Sequence, residues 1–347
     1  MTAPGTQLLT RQGERSGLRI VIAIDSTVLG PALGGCRMWR YGHSGEGIQD
    51  ARRLAGAMTL KAAAAGLELG GGKGVICIDA RALTADRRRA AMLDFADAVE
   101  SLDGSYITAE DVGSNAEDMA VIAERTDHVV GLPPRLGGAG DPSPLTARGV
   151  ERAIRACVDH RFGTTDLAGL RVVLIGLGHV GTALARRLRA GGASLVASDI
   201  DPGRRSVAED LGAAWVDPGR AILTECDLMA PCALGGSVNA ANADSLRCEV
   251  LCGAANNVLA EDSLALDLQR RGVLYAPDFI ANAGGLIHVY ADLRGQDPVL
   301  AEDLVDSIGV TVANVLSDAE RAGVTPLEAA HDLARRRLQS GVAVGAA

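Results

Sequence analysis

Aromatic residues make up only 3% of this 347-residue chain although 48% of it is apolar, so its cores must be built from Ala, Val, Leu and Ile. Small aliphatic side chains suit helices lying close on sheets. A basic excess is also missing: 34 Lys and Arg stand against 43 Asp and Glu, a formal charge of −9. Nucleic-acid binders present a clustered basic face, so phosphate tracking is argued against, and the runs Arg87-Arg88-Arg89 and Arg335-Arg336-Arg337 read as solvated helix faces. No stretch reaches the roughly 18 apolar residues of a membrane helix, and residues 1–17 lack the apolar centre of a secretory signal, so the expected location is the cytoplasm, with no membrane partner. The seven cysteines include no CxxC pair, which points to reduced, structural thiols and to no metal site.

What is present reads as α/β in two domains, because single cores usually stop growing below roughly 250–300 residues. Residues 18–25 (LRIVIAID) read as a strand, followed by a Gly/Pro-rich turn through Gly30-Pro31 and Gly34-Gly35. Helical spacing follows over residues 46–65, with Ile48, Ala51, Leu54, Ala55 and Met58 on one face and Lys61 near the end. A glycine-rich turn (LGGGKG, residues 69–74) then leads into a strand at 75–78, a helix at 86–102, a strand at 106–109 and a helix from Ser114. Residues 131–144 are so dense in Gly and Pro that they mark the interdomain linker. The expected first domain, for substrate and oligomer contacts, is 1–143 joined by C-terminal helices at about 325–347; a Rossmann-type dinucleotide domain takes 144–324.

The second domain carries the clearest motif. Gly176-Leu177-Gly178-His179-Val180-Gly181 follows a buried-looking strand at 172–175, opens a helix, and precedes an acidic strand end at Asp199. Gly176 permits the tight turn, Gly178 lets a pyrophosphate approach the helix N-terminus, and Gly181 lets helix and strand pack closely. His179 and Val180 fill the variable positions, His179 reading as helix surface and not as a catalyst. Asp199 would accept ribose hydroxyls and repel a 2′-phosphate, favouring NAD; Arg204 and Arg205 nearby would suit a phosphate instead. Short apolar runs at 227–230, 250–252 and 273–275 extend a mainly parallel sheet.

In the first domain Lys61 and Lys73 bracket the glycine-rich turn. The GxxxxGK[ST] spacing of a P-loop is absent. A partly desolvated lysine beside a second cation has its pKa lowered and can act as acid or base near neutral pH. Asp111 alone would read as a turn or capping residue; beside two lysines it becomes a candidate proton shuttle.

Seven segments then occur in order: GPALGGCRMW (30–39), MTLKAAAAGLELGGGKGVI (58–76), YITAEDVGSNAEDM (106–119), GDPSPLTARGV (140–150), GLGHVG (176–181), CGAANNVL (252–259) and YAPDFIANAGGLI (275–287). Together they resemble the Glu/Leu/Phe/Val dehydrogenase family across nearly the whole chain. The resemblance implies a homo-oligomer that oxidatively deaminates an L-amino acid to a 2-oxo acid and ammonia with NAD. By motif it implies that Lys61 binds the substrate carboxylate, that Lys73 is the base activating water at the imino carbon, and that Asp111 exchanges protons with the amino nitrogen. Asn282 and the Gly34-Gly35 backbone would hold substrate, with Thr146, Asn256 and Asn257 near the nicotinamide and ribose. Glu110-Asp111 and the short chain resemble the hydrophobic-substrate branch, with Leu33, Met58, Leu67 and Val289 as candidate wall residues. Cys36 stands where many leucine-type members carry threonine. Branched-chain substrates are favoured, then phenylalanine, then glutamate. A non-catalytic nucleotide binder would show damage to the lysines and Asp111, and none is visible.

Overall fold

Edge strand β1 (Gln7–Gln12) pairs antiparallel with β2 (Arg19–Ser26) in the computed structural model, which describes residues 6–295 and 298–345. Ile20, Ile22 and Ile24 of β2 point to one side and Val21 and Ala23 to the other, so both faces of the strand are buried. There follow β3 (Ala32–Arg40), α1 (Ser44–Ala64), β4 (Gly70–Ile78), α2 (Ala85–Glu100), β5 (Tyr106–Glu110) and α3 (Ala116–Ile122). The sheet order is β1-β2-β4-β3-β5, with β2 antiparallel to β4 and β3 parallel to both β4 and β5. Helix α1 lays Ala51 and Ala55 on the face with Val21, Ala23 and Val75, while α2 and α3 cover the other face through Phe95, Met119 and Ile122. Asn115 and Asp118 form a capping box, so α3 begins two residues beyond the expected Ser114.

Two stretches expected as turns are strands. β3 takes in Gly34 and Gly35, and β4 begins at Gly70 instead of Val75. Glycine hides the two-residue period here because the missing side chains are what the packing requires. Gly71 faces α1, where an added Cβ would collide with the Thr59 backbone. Gly72 and Gly74 face the opposite way, and their space is filled by the rings of Tyr106 and Phe95. The glycine run is therefore a rigid strand with Lys73 in its middle. β1 gave no pattern to read: its side chains are almost all exposed.

The second sheet is built from α4 (Ser143–Phe162), β6 (Arg171–Ile175), α5 (His179–Ala190), β7 (Ser194–Ser198), α6 (Arg205–Asp210), β8 (Ala214–Trp215), α7 (Pro218–Ala221), β9 (Cys226–Pro231), β10 (Cys248–Leu251), α8 (Leu264–Arg270) and β11 (Leu274–Tyr275). α9 (Asp278–Ala281), α10 (Gly284–Leu293), α11 (Pro298–Ala322) and α12 (Pro326–Gly345) complete the chain. All neighbours are parallel in the order β8-β7-β6-β9-β10-β11, a doubly wound sheet whose strand order reverses between β6 and β9. α11 lies along α4, where Arg148 and Arg152 both bind Asp306, at 2.6 and 2.8 Å.

The described chain divides into two units. The first holds residues up to Gly140, Asp292–Gly295 and those from Ala334 onward; the second holds Asp141–Ala291 and the described residues through Leu333. Residues 1–5, 346 and 347, which the expected first domain includes, lie outside the described residues. Among the described residues no helix is long and apolar enough to cross a membrane.

Candidate active site

Lys73 points from β4 to the side of the sheet that carries α1. Leu33 lies opposite Gly71 and Cys36 opposite Gly74, so Gly35 flanks Lys73; Gly35 also pairs with Ala109 of β5. A Cβ at Gly35 would stand 2.7 Å from that of Asp111, so the bare position lets Asp111 fold back over the sheet. The Lys73 ammonium donates to Asp111 Oδ1 at 2.9 Å, with the lysine side chain only 6% exposed. On the far oxygen, Arg37 Nε donates to Oδ2 at 3.0 Å. The same guanidinium donates from NH1 to Asp50 Oδ2 of α1 at 2.9 Å, and Asp50 also accepts from the Tyr41 hydroxyl and Arg53, each at 2.8 Å. The loop is tied down as well: the Asp111 amide donates to Ser114 Oγ at 2.9 Å, and that hydroxyl donates to the Cys36 carbonyl at 2.7 Å.

These contacts set the protonation states. Burial pushes the Lys73 pKa below the ordinary lysine range; Asp111 opposes the shift and Arg37 adds to it. Burial alone would raise Asp111, but Lys73 and Arg37 outweigh it and hold the carboxyl below its ordinary value. The site can thus offer a neutral amine beside an ionised carboxylate. The cation bonded into the pair is Arg37, which the sequence reading missed. Once β3 is known to be a strand, its parity with Gly35 would have found it.

Lys61 is half-buried in the last turn of α1, and its eleven-residue spacing from Asp50 returns it to the same stripe of the helix. Arg337 of α12 donates to the Ala63 and Ala64 carbonyls at that helix end, at 2.8 and 2.5 Å. Of the expected wall residues, Leu33 and Leu67 are sealed in the core, Met58 is half-buried on α1, and Val289 belongs to the second unit. Cys36 faces the opposite side of the sheet from Lys73, buried with Met38 and Phe95.

In the second unit the dinucleotide loop has the form its sequence suggests. Gly176 has φ +107°, a conformation that favours glycine, and a Cβ at Gly181 would strike the Gly176 carbonyl. No side chain caps the first turn of α5 at Gly178, and a Cβ there would meet only open space. Both Asp199 oxygens are fixed by backbone amides, from Leu177 at 2.7 Å and Asp201 at 2.9 Å, and each keeps a lone pair for a hydroxyl. Arg204 and Arg205 lie beside Asp201 and Glu209, at 3.9 and 3.6 Å, so each has an acidic neighbour of its own. His179 is exposed, 4.0 Å from Asp141, and Val180 is half-buried in the first turn.

A third group gathers around Asn282, which is buried at the end of α9. Its amide nitrogen donates to the Ala254 and Ala255 carbonyls, both at 3.2 Å, and to Asn256 Oδ1 at 2.9 Å. Its Oδ1 is buried with no donor. Such an orphan acceptor costs about 1–3 kcal/mol unless a bound group supplies a hydrogen. Thr146 donates to the Pro142 carbonyl at 2.9 Å and stands against Gly285, two residues past Ala283 in the same turn; Asn257 adopts φ +51° and its carbonyl accepts from the Gly236 amide at 2.7 Å. The bare loop glycines, the uncapped helix end, fixed Asp199 and the orphaned Asn282 oxygen together fit an NAD molecule. Ser198 and Ser237 also carry buried hydroxyls without partners, a feature no sequence pattern announced.

The family model for the Glu/Leu/Phe/Val dehydrogenase dimerisation domain matches residues 6–128, and that for Glutamate/Leucine/Phenylalanine/Valine dehydrogenase matches 204–339. The leucine dehydrogenase of Bacillus subtilis (strain 168) is 43% identical over 336 residues, 96% of this chain and 91% of that protein. The chain belongs to the Glu/Leu/Phe/Val dehydrogenase family. Like other amino-acid dehydrogenases of that family it is an NAD-dependent oxidoreductase. The valine dehydrogenase of Streptomyces albus is 40% identical over 96% of this chain and 92% of its own length. The crystal structure of L-tryptophan dehydrogenase from Nostoc punctiforme superposes with a TM-score of 0.84 at 35% identity, covering 97% of both chains. Residues 146–234 also match the NAD binding domain of D-isomer specific 2-hydroxyacid dehydrogenases. That match spans the βαβ unit with the glycine loop, and so bears on the cofactor half of this dehydrogenase and not on its substrate.

Proposed function

We propose that this dehydrogenase oxidises a hydrophobic L-amino acid, with leucine, valine and isoleucine favoured. The balanced reaction takes the amino acid, NAD⁺ and water to the 2-oxo acid, ammonium, NADH and a proton. NAD⁺, when bound, accepts the hydride from Cα. The observation that carries the reading is the buried Lys73–Asp111 pair at 2.9 Å. Water must be deprotonated as it attacks the iminium carbon, and Lys73, with its pKa depressed by burial, is suited to take that proton. Asp111 stays ionised beside it and can exchange a proton with the departing amine. Lys61, a cation on the stripe of α1 that also carries Asp50, would bind the substrate carboxylate. The Gly34-Gly35 backbone would line the site, and Asn282 can only accept a hydrogen bond from substrate or cofactor, since its amide nitrogen is already used.

Asp199 and its fixed geometry favour NAD over NADP, and Thr146, Asn256 and Asn257 would flank the nicotinamide and ribose. The names of the relatives, leucine and valine dehydrogenases at 40–43% identity, support the branched-chain preference. A homo-oligomer is supported by the match of the first unit to a dimerisation domain and by the outer edge of β1, which no strand among the described residues pairs.

Initial rates of NADH formation with Leu, Val, Ile, Phe and Glu test the substrate, and a clear preference for Glu would refute it. Lys73→Ala should lower kcat by about 10²–10⁴-fold while NADH still binds. Full turnover in that variant would remove the base assignment.

A further inference from the structure

We propose that Arg37 is the positioning residue that makes the Lys73–Asp111 pair usable, by holding the outer oxygen of Asp111 while itself anchored to Asp50 of α1. The proposal rests on the reading of Lys73 as the base. A buried lysine bonded to a carboxylate alone would be locked as an ammonium, because losing its proton would strand a net negative charge in a poorly solvated place. Arg37 changes that balance. With it, and with Arg53 balancing Asp50, the bonded group Lys73–Asp111–Arg37–Asp50–Arg53 goes from a net charge of +1 to zero when Lys73 gives up its proton. Deprotonation then removes buried charge instead of creating it.

The geometry is specific to arginine. Nε reaches Asp111 at 3.0 Å and NH1 reaches Asp50 at 2.9 Å, so one planar group spans two carboxylates on different elements. Asp50 is held in turn by Tyr41 and Arg53. Arg37, Tyr41, Asp50 and Arg53 also line a surface cavity of about 430 Å³ with Trp39, Glu46 and Gln49, so the anchor lies at the solvent side and Lys73 at the buried side. Through Asp50 the clamp is fastened to the helix that carries Lys61.

Other ionisable groups on the elements packed around Lys73 do not replace Arg37. From β3, the Cys36 thiol is buried on the opposite face and pushed up by that burial, so it stays uncharged. On β2, Asp25 accepts from the Thr59 hydroxyl at 2.7 Å. From α1 come Glu46, Asp50, Arg53 and Lys61, and among the described residues of the loop after β5 only Asp111 bonds the ammonium.

The test is the pH dependence of kcat/KM for L-leucine oxidation in the full-length enzyme and in Arg37→Gln, Arg37→Lys, Asp50→Asn and Lys73→Ala, with NADH titration as the measure of intact folding. Arg37→Gln should move the ascending limb about one pH unit higher and lower kcat/KM near pH 8 by about tenfold, with NADH affinity unchanged. Arg37→Lys should return the limb toward its original position, since the charge is restored, but not the full rate, since an ammonium cannot bridge both carboxylates in fixed geometry. Asp50→Asn removes a negative charge beside Arg37 and leaves the guanidinium in place, so it should move the limb the other way, to lower pH and by less, and it decides the matter if Arg37→Gln does not fold. Profiles of Arg37→Gln and Asp50→Asn that superimpose on the parent enzyme's would overturn the proposal. If Lys73→Ala keeps its turnover, the base assignment fails whatever Arg37 does; if Lys73→Ala is dead and the Arg37 profile is unmoved, only the positioning role fails.

Discussion

As the proposed base, Lys73 would be charged when it meets Asp111 and neutral when it takes a proton, and burial, which lowers its pKa, brings those two states closer in energy. The sign follows from the depressed pKa: the base form gains population as pH rises, through a limb lying below the ordinary lysine value of about 10.4. Oxidation rates should therefore climb with pH and level off before that value, and a limb at or above it would contradict the desolvated base. Asp111, held below its ordinary value, should add no second limb in that range. At the cofactor end, Asp199→Ala removes the acceptor of the Leu177 and Asp201 amides as well as the proposed ribose partner. It should raise KM for NAD by roughly tenfold, about 1.4 kcal/mol, and narrow the preference over NADP; an unchanged NAD to NADP ratio of kcat/KM would remove Asp199 from that role. At this scale the sequence singled out Lys73 and Asp111 by residue type and motif order, and the structure brings the two to 2.9 Å. Arg37 was not readable, because an arginine after Gly-Gly-Cys has no partner until the strand puts it beside Asp111.

Elements hold these groups through close approach more than through bulk. A methyl at Gly71 has nowhere to go against the Thr59 backbone, so Gly71→Ala should push α1 off β4, with a loss of about 1–3 kcal/mol and a fall in kcat. An unchanged melting temperature and rate would show that the contact is soft. The far end of the same helix depends on Arg337, whose guanidinium satisfies the last carbonyls next to Lys61. Arg337→Ala should raise KM for the amino acid severalfold and leave KM for NAD alone, and equal effects on both would argue against a local action. Helices α1 and α2 were legible to within a few residues, as was the βαβ unit around Gly176. β3 and the first half of β4, Gly70 to Gly74, were not, because glycines erase the alternation that marks a strand and the information lies in the neighbours, Tyr106, Phe95 and Thr59, that fill or approach the gaps.

Over the whole molecule the excess of acid is handled by arginine clamps. Arg148 and Arg152 hold the Asp306 carboxyl well below the ordinary aspartate range, so the pair's stabilisation is present above about pH 4 and is lost as pH falls through the lowered value. With Asp306 partly exposed, Asp306→Asn should cost about 1–2 kcal/mol at neutral pH and much less in strong acid, and a pH-independent loss would point to packing instead. Light scattering of the purified protein should give a mass well above the 35.7 kDa chain, and a monomer active in dilute solution would refute the oligomer. The poverty in aromatics has one more effect. The chain has two tryptophans, and they fall one to each unit: Trp39 on β3, two residues from Arg37, and Trp215 on β8, paired with Ala197 just before the Asp199 turn. Replacing either with phenylalanine leaves a single tryptophan, so each half of the enzyme carries its own optical reporter and its ligand response can be followed separately.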